Sequence, residues 1–328
     1  MEKLINNFPE QIQEAIEIGK KAQFTDVKKQ FSNVIICGLG GSGIGATLVN
    51  DVLSNDIEIP IIVNKSYSLP AFANENSLVI ISSYSGNTEE TLISFEQAIK
   101  KGCKIVAITS GGEVEKICKT NNFDIVKIPS GHPPRACLGY SSTQVFFALN
   151  AFGLINNDFI EQLNSTITLL MTEKENIKKE AKDLTSKLIG KTPIIYSSNN
   201  FEAVAIRFRQ QINENSKMLC WHHVVPEMNH NELVGWRIKD DSQAVVFIRN
   251  KSDLPRIQER MELNKKIISK CTTNIYEMWS KGNSNLEKSM YLIHLGDWVS
   301  LYLSHLREVD TTEVKVIDFL KGELAKNK

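Results

Sequence analysis

The sequence of 328 residues lacks paired cysteines, an excess of either charge, and any apolar run long enough to cross a bilayer. Lysine plus arginine equals aspartate plus glutamate, at 38 each, so no overall field attracts nucleic acid or an anionic membrane. Any anion must therefore be bound at a local site. The six cysteines are scattered, mostly in or beside apolar runs, which predicts buried free thiols. The first residues have no cationic stretch followed by an apolar core, as a secretion signal would, so we expect a cytoplasmic protein.

Hydroxyl side chains are concentrated just after one short apolar run. Residues 79–81 predict a buried strand, and a helix is predicted to begin near Thr88. Between them lie Ser83 and Ser85 beside Gly86, where free backbone N–H groups and the positive end of the helix dipole meet hydroxyl donors. A helix cap would need only one such hydroxyl. The stretch therefore predicts a phosphate-binding site.

A glycine-rich turn at residues 38–45 lies between another predicted strand and a helix. Its spacing matches the dinucleotide-binding fingerprint G-x-G-x-x-G. In that fold the second strand ends in an acidic residue that binds the ribose, whereas here it ends in Asn64. Ser42 within the turn fits a phosphomonoester better. We expect no cofactor, and a nucleotide is the less favoured alternative.

Predicted strands alternate with helical patterns along the chain, which indicates an α/β protein with parallel sheets flanked by helices. Five strands are predicted before residue 130, and the pattern restarts at Pro193 after a charged helical stretch. Ligands bind at the carboxyl ends of the strands in such sheets. The expected segments are a first domain at 1–155, a connecting helix at 156–190, a second domain at 191–308 and a C-terminal helix at 309–328 that opens at Thr311 or Thr312.

The helix that follows Phe201 has one clear apolar face. Its buried side is predicted to contain Phe201, Val204, Ala205, Phe208 and Ile212. Arg207 and Glu214 fall on the opposite side, so Glu214 is predicted to project away from the core at the end of the helix. A solvated surface glutamate is the ordinary interpretation of such a position, and only the context argues for more.

Residues 221–236 contain an unusual density of histidine, glutamate and asparagine. The residues that could ligate a metal are His222, His223, Glu227, His230 and Glu232. Pro226 interrupts any helix that would align them, and no H-E-x-x-H spacing is present. We favour a loop that holds sugar hydroxyls and transfers protons, with a metal site as the alternative.

Arg135 follows Pro133 and Pro134, just after the fifth predicted strand. The two prolines restrict the backbone, so little entropy is lost when the guanidinium binds an oxyanion. An interdomain salt bridge is the alternative role, and the two are compatible.

Five short blocks of the sequence together resemble the bifunctional phosphoglucose/phosphomannose isomerases. They are residues 40–43, 83–90, 134–139 (Pro-Arg-Ala-Cys-Leu-Gly), 213–215 and 226–232 (Pro-Glu-Met-Asn-His-Asn-Glu). The resemblance covers nearly the whole chain. It implies two tandem sugar isomerase (SIS) domains of the phosphoglucose isomerase superfamily. The implied reaction interconverts glucose 6-phosphate and mannose 6-phosphate with fructose 6-phosphate through a cis-enediolate.

The resemblance also implies a role for each matching residue. Glu214 corresponds to the catalytic base, His230 to the ring-opening histidine and Arg135 to the arginine that steadies the intermediate. The family's active-site lysine lies on its C-terminal helix, where Lys321 is the best match and Lys315 the second. The implied phosphate ligands are Gly41, Ser42, Ser83, Ser85 and Thr88.

In this family the histidine comes from a second subunit, so the resemblance implies a homodimer with shared sites. Cys137 and the pair His222 and His223 depart from the family pattern, and none of them coincides with a residue to which the resemblance gives a role. A non-catalytic sugar-phosphate sensor is the main alternative, although it would usually carry a DNA-binding segment and would leave Glu214 and His230 unused. A sugar-phosphate aminotransferring synthase would need an N-terminal cysteine or a glutaminase domain, and neither is apparent.

Overall fold

The first half of the chain is built on a five-stranded parallel sheet. The computed structural model describes residues 1–25 and 29–326. The strands are β1 (Asn33–Cys37), β2 (Ile61–Asn64), β3 (Ser77–Ser82), β4 (Lys104–Thr109) and β5 (Asp124–Lys127). They are arranged in the order β2-β1-β3-β4-β5. β1 and β3 are buried along their whole length, which explains their apolar runs.

Helices cover both faces of this sheet. They are α1 (Glu2–Asn6), α2 (Phe8–Lys21), α3 (Gly40–Leu53), α4 (Glu89–Lys100), α5 (Gly112–Asn121) and α6 (Leu138–Ala151). One face shares a core with α2, α3 and α6, and the other packs against α4 and α5. The arrangement confirms the predicted α/β class. The short helix α1 was not predicted.

The second half repeats the scheme with four parallel strands. They are β6 (Thr192–Ser198), β7 (Trp221–Val225), β8 (Gln243–Arg249) and β9 (Ile275–Trp279), in the order β7-β6-β8-β9. The prediction of a loop from residue 221 was wrong for its first five residues, which form β7. Parallel pairing with β6 places His222 opposite Ile195, and this long-range contact is invisible to local sequence patterns.

Six helices complete the second half and its connections. They are α7 (Asp158–Thr172), α8 (Lys174–Leu188), α9 (Glu202–Ser216), α10 (Pro255–Ile268), α11 (Asn285–Leu306) and α12 (Lys315–Ala325). Where the sequence indicated one connecting helix, the structure has two, α7 and α8, which meet at Glu173. Helix α9 contacts both α11 and α3, so it joins the two halves of the chain.

The tail begins its helix later than predicted. Helix α12 starts at Lys315 rather than near Thr311, because the Thr311 carbonyl bonds to a side chain of the first half. All residues of α12 are exposed, and the predicted end of this helix at 327–328 lies outside the described residues. All six cysteines are free, and five are buried, as predicted. No helix in the described ranges is both long and apolar enough to span a membrane.

Candidate active site

The glycine turn after β1, whose residues from Gly40 onward belong to helix α3, lies directly against the arginine turn of residues 133–136. A Cβ atom at Gly41 would lie 2.4 Å from the carbonyl oxygen of Pro134 and 3.1 Å from the backbone nitrogen of Arg135. Only glycine permits this approach of two backbones. The contact brings Ser42, the next residue, into the same region as Arg135.

The hydroxyl turn after β3 is joined to the glycine turn. The Ser42 hydroxyl accepts a hydrogen bond from the backbone N–H of Tyr84 at 3.1 Å. Within the hydroxyl turn, the Ser83 hydroxyl donates to Thr88 Oγ1 at 3.3 Å. The predicted phosphate ligands therefore lie on two joined turns at the carboxyl ends of β1 and β3: Gly41, Ser42, Ser83, Ser85 and Thr88.

The start of α4 is suited to an anion. Thr88 is the N-cap residue, and in the described structure its side chain makes no capping hydrogen bond to the helix. Gly86 has a φ of 69°, and a Cβ atom there would lie 1.8 Å from the carbonyl oxygen of Gly111. Free N–H groups at the helix end, the helix dipole and nearby hydroxyls together favour a bound phosphate.

Arg135 is held by residues from distant parts of the chain. Its side chain is only 6% exposed, and its Nε donates to Asn215 Oδ1 at 2.9 Å. One terminal nitrogen lies 3.3 Å from Glu214 Oε2, and the other donates to the carbonyl oxygen of Thr311. Three anchors therefore fix the direction of the guanidinium. The anchoring role of Asn215, which belongs to the block at 213–215, and of Thr311 was not revealed by the sequence.

A buried ion pair supports the backbone of Arg135. Arg207 donates to the Arg135 carbonyl at 3.1 Å and pairs with Asp297 Oδ2 at 2.7 Å. Gln211 also donates to Asp297, at 3.0 Å. Burial raises the pKa of the Asp297 carboxyl, and the charge of Arg207 and the hydrogen bonds from Arg207 and Gln211 oppose this rise. The pair therefore links α9 and α11 to the arginine turn.

The prediction that Arg207 lies away from the core was wrong. The apolar pattern of α9 identifies only one buried face, but Arg207 is also buried because α11 and the arginine turn cover the other. An arginine becomes tolerable in such a position when a carboxylate and a carbonyl satisfy it. Its partner Asp297 is ninety residues away in sequence, so no local pattern could reveal the pair.

Glu214 lies near the end of α9, with its carboxylate next to Arg135. Its side chain is 30% exposed, so a ligand can reach it from one side. The structure thus brings together two of the four predicted catalytic residues, one from each half of the chain. The carboxylate can accept a proton from a substrate carbon, while the fixed cation beside it faces the negative charge that develops on the substrate.

Lys217 also belongs to this region, although no sequence motif pointed to it. Its Nζ donates to the backbone carbonyl oxygen of Glu214. Burial lowers the pKa of Lys217, and the positive charge of Arg135 lowers it further. The spacing of three residues from Glu214 at a helix end was the available signal, since such a lysine can reach the last carbonyls.

His230 and Lys321 are placed elsewhere within the chain. His230 ends a short 3₁₀ turn (Glu227–His230) after β7 and is exposed, and Lys321 lies on the exposed helix α12. Lys315, the second match for the family's lysine, begins that helix and is exposed too. In the described part of the chain, no hydrogen bond or ion pair connects His230 or Lys321 to Glu214 or Arg135.

The other candidate metal ligands have separate partners. His222 Nε2 lies 3.9 Å from Glu202 Oε1, and Glu232 accepts hydrogen bonds from Tyr196 and from Trp221 Nε1. Across residues 1–25 and 29–326, no three histidine, cysteine or acidic side chains converge as a metal site. The segment instead anchors itself to β6 and α9.

Comparison with known proteins agrees with this fold. Residues 177–324 match the family model described as the bacterial phospho-glucose isomerase C-terminal SIS domain. The C-terminal domain of glucosamine-fructose-6-phosphate aminotransferase from Francisella tularensis superposes with a TM-score of 0.76 at 13% identity, over 95% of this chain and 97% of that one. The tandem parallel sheets and the hydroxyl turn thus define a protein of the SIS-domain class.

Two curated relatives identify the family within that class. The chain is 42% identical to the bifunctional phosphoglucose/phosphomannose isomerase of Caldicellulosiruptor bescii, over 99% of this chain and 98% of the relative. It is 35% identical to the enzyme of the same description from Aquifex aeolicus, over 93% and 95% of the two chains. The chain belongs to the bifunctional phosphoglucose/phosphomannose isomerase family, as its motifs indicated.

Proposed function

We propose that this chain interconverts glucose 6-phosphate and mannose 6-phosphate with fructose 6-phosphate, and that Glu214 is the catalytic base. The observation that carries the proposal is the 3.3 Å contact between the Glu214 carboxylate and the Arg135 guanidinium. One half of the chain supplies the cation and the other the base. The two meet beside the turns that we assign to the substrate phosphate.

Glu214 removes a proton from C2 of the aldose or from C1 of the ketose and returns it to the neighbouring carbon. The cis-enediolate formed between these steps carries negative charge. Arg135 faces that charge from a fixed position, and one such prearranged donor contributes about 3 kcal/mol to lowering the barrier. Accepting both C2 epimers requires space for the C1–C2 end of the intermediate to rotate.

The phosphate is the anchor that keeps the reacting carbons near the base. We assign its oxygens to the turn hydroxyls, the backbone at Gly41 and the start of α4. Binding at a distance from the reaction reduces the entropy cost of aligning C1 and C2 with Glu214. The assigned hydroxyls are those of Ser42, Ser83, Ser85 and Thr88.

We further propose a cytoplasmic homodimer, acting in carbohydrate metabolism, in which His230 opens the sugar ring of the partner's substrate. A histidine near neutral pH can move the proton from O1 to O5, with Lys321 assisting. Two observations support a partner of the same sequence. His230 is exposed on its own chain, and α12 presents large apolar side chains to solvent, with Val316 81% and Phe319 70% exposed.

A coupled assay that starts from fructose 6-phosphate and quantifies both aldose products tests the proposed reaction. We expect glucose 6-phosphate and mannose 6-phosphate to accumulate together, with proton exchange from solvent at C2. Formation of only one aldose would contradict the dual specificity. Tight binding of fructose 6-phosphate without turnover would support the sugar-phosphate sensor instead.

The shared site predicts that two inactive variants restore each other. Mixing Glu214→Gln and His230→Ala subunits after mild dissociation should recover about a quarter of wild-type activity, because half the dimers are mixed and each has one intact site. The matched control is the double variant mixed with Glu214→Gln, in which no dimer of either kind has an intact site, so this mixture should stay inactive. Mixed dimers that form, as seen by native mass spectrometry, but stay inactive would show that His230 does not act across the interface.

A further inference from the structure

Three non-glycine residues of the described chain have a left-handed backbone. Asn122, Lys217 and Glu308 all have a φ of 55°. Asparagine tolerates this conformation, whereas other side chains with a Cβ atom are destabilised in it. Lys217 follows α9 as its C-cap, at a place where glycine or asparagine is the common choice. The backbone therefore favours a different residue at this position.

The side chain of Lys217 adds a second unfavourable feature. Its ammonium is partly withdrawn from water, and the positive charge of Arg135 also acts on it, so the pKa of Lys217 is lowered. Nearby Glu313, Asp310 and Glu214 compensate only in part. A lowered lysine pKa means that the folded protein disfavours the charged form, so this charge reduces stability at neutral pH. Strained backbone and perturbed pKa values of this kind are concentrated at functional sites.

What the side chain does is visible in its contacts. The Lys217 ammonium bonds to the carbonyl oxygen of Glu214, in the last turn of α9. The Lys217 carbonyl in turn accepts from Arg307 at 3.5 Å, which ties the same residue to the end of α11. Lys217 thus connects the backbone of the proposed base to the end of α11, within range of the charge of Arg135.

We propose that Lys217 is a positioning residue of the isomerase site, whose ammonium fixes the last turn of α9, directs the Glu214 carboxylate and adds positive charge beside Arg135. The proposal rests on the function proposed above. It assigns a role to a residue outside both the phosphate turns and the histidine-rich segment. It also explains why a lysine occupies a position where the backbone would favour glycine.

The decisive experiment replaces Lys217 with glycine. Lys217→Gly removes both unfavourable features, so its Tm should equal or exceed that of wild type by a few degrees. At the same time kcat for fructose 6-phosphate should fall by at least about tenfold, with KM changed less than about threefold, because the loss is in the transition state. Lys217→Asn, which also tolerates the backbone, should behave in the same way, and Lys217→Arg should recover part of kcat.

The pH dependence of kcat shows whether Lys217 acts through its charge or only through packing. The groups that face Lys217 are Arg135, Glu214, Asp310, Glu313 and, through the Lys217 carbonyl, Arg307. Because the pKa of Lys217 is lowered, the alkaline decline of wild-type kcat should occur at a pH below the usual pKa of a lysine. Arginine stays charged throughout this range, so Lys217→Arg should move that decline to higher pH.

Glu308→Gly is the matched control, since Glu308 has the same φ and is exposed after α11. It should preserve or raise Tm and leave kcat at the wild-type value. Wild-type kcat in Lys217→Gly and Lys217→Asn, or an unmoved alkaline limb in Lys217→Arg, would overturn the proposal. Absence of isomerisation by the wild-type protein in the coupled assay would instead refute the proposed function itself, so the two failures are distinguishable.

Discussion

Glu214→Gln is expected to lower kcat by roughly 10²- to 10⁴-fold while fructose 6-phosphate still binds. Glutamine keeps the size and polarity of the side chain but cannot accept the C2 or C1 proton. The phosphate site lies on other residues, so affinity should persist. Steady-state kinetics in the coupled assay and calorimetric titration with fructose 6-phosphate measure the two quantities separately.

Glu202→Gln provides the control for this experiment. Glu202 begins the same helix α9 that carries Glu214, and its carboxylate lies near His222 rather than Arg135. It should isomerise at the wild-type rate. Near wild-type turnover by Glu214→Gln would mean that another group removes the proton.

Asp297→Ala is expected to reduce the free energy of unfolding by about 3–5 kcal/mol, because it leaves Arg207 buried without its counter-ion. Activity should fall as well, since Arg207 also bonds to the backbone of Arg135. Urea unfolding and kcat measured on the folded fraction give the two effects. The loss should be larger than for any exposed ion pair of the chain, which contributes about 0–1 kcal/mol.

The double variant Arg207→Met with Asp297→Leu separates stability from activity. Apolar replacement of both partners removes the unpaired charge, so most of the lost stability should return. The hydrogen bond to the Arg135 carbonyl does not return, and kcat should stay low. Recovery of wild-type kcat in the double variant would show that the pair serves folding alone.

The sequence predicted the sheets and the phosphate turns well because these depend on local patterns. Strands such as β1 and β3 are short apolar runs, and the turns after them are recognised by their glycine and hydroxyl residues. The strand β7 was missed because its first residues, Trp221 to His223, are only partly buried and polar in part. Its pairing with β6 supplies the stability that its own composition does not.

The support of the site could not be predicted because it connects residues far apart in sequence. Arg135 bonds to Asn215, eighty residues away, and to Thr311, 176 residues away. An amphipathic pattern indicates which apolar side chains are buried. It gives no information on a buried arginine that forms an ion pair with a distant aspartate. Motif resemblance named the reacting groups, and only the three-dimensional arrangement revealed what holds them.

The three anchors of Arg135 determine which chimeras of this chain with a homologous chain should be functional. The arginine turn, the end of α9 and the residues before α12 form one mutually fitted unit, although they are scattered over the gene. A chimera with a single crossover between the halves would combine a guanidinium from one parent with anchors from the other. Grafting all three pieces from the same parent should give functional hybrids far more often than exchanging whole halves.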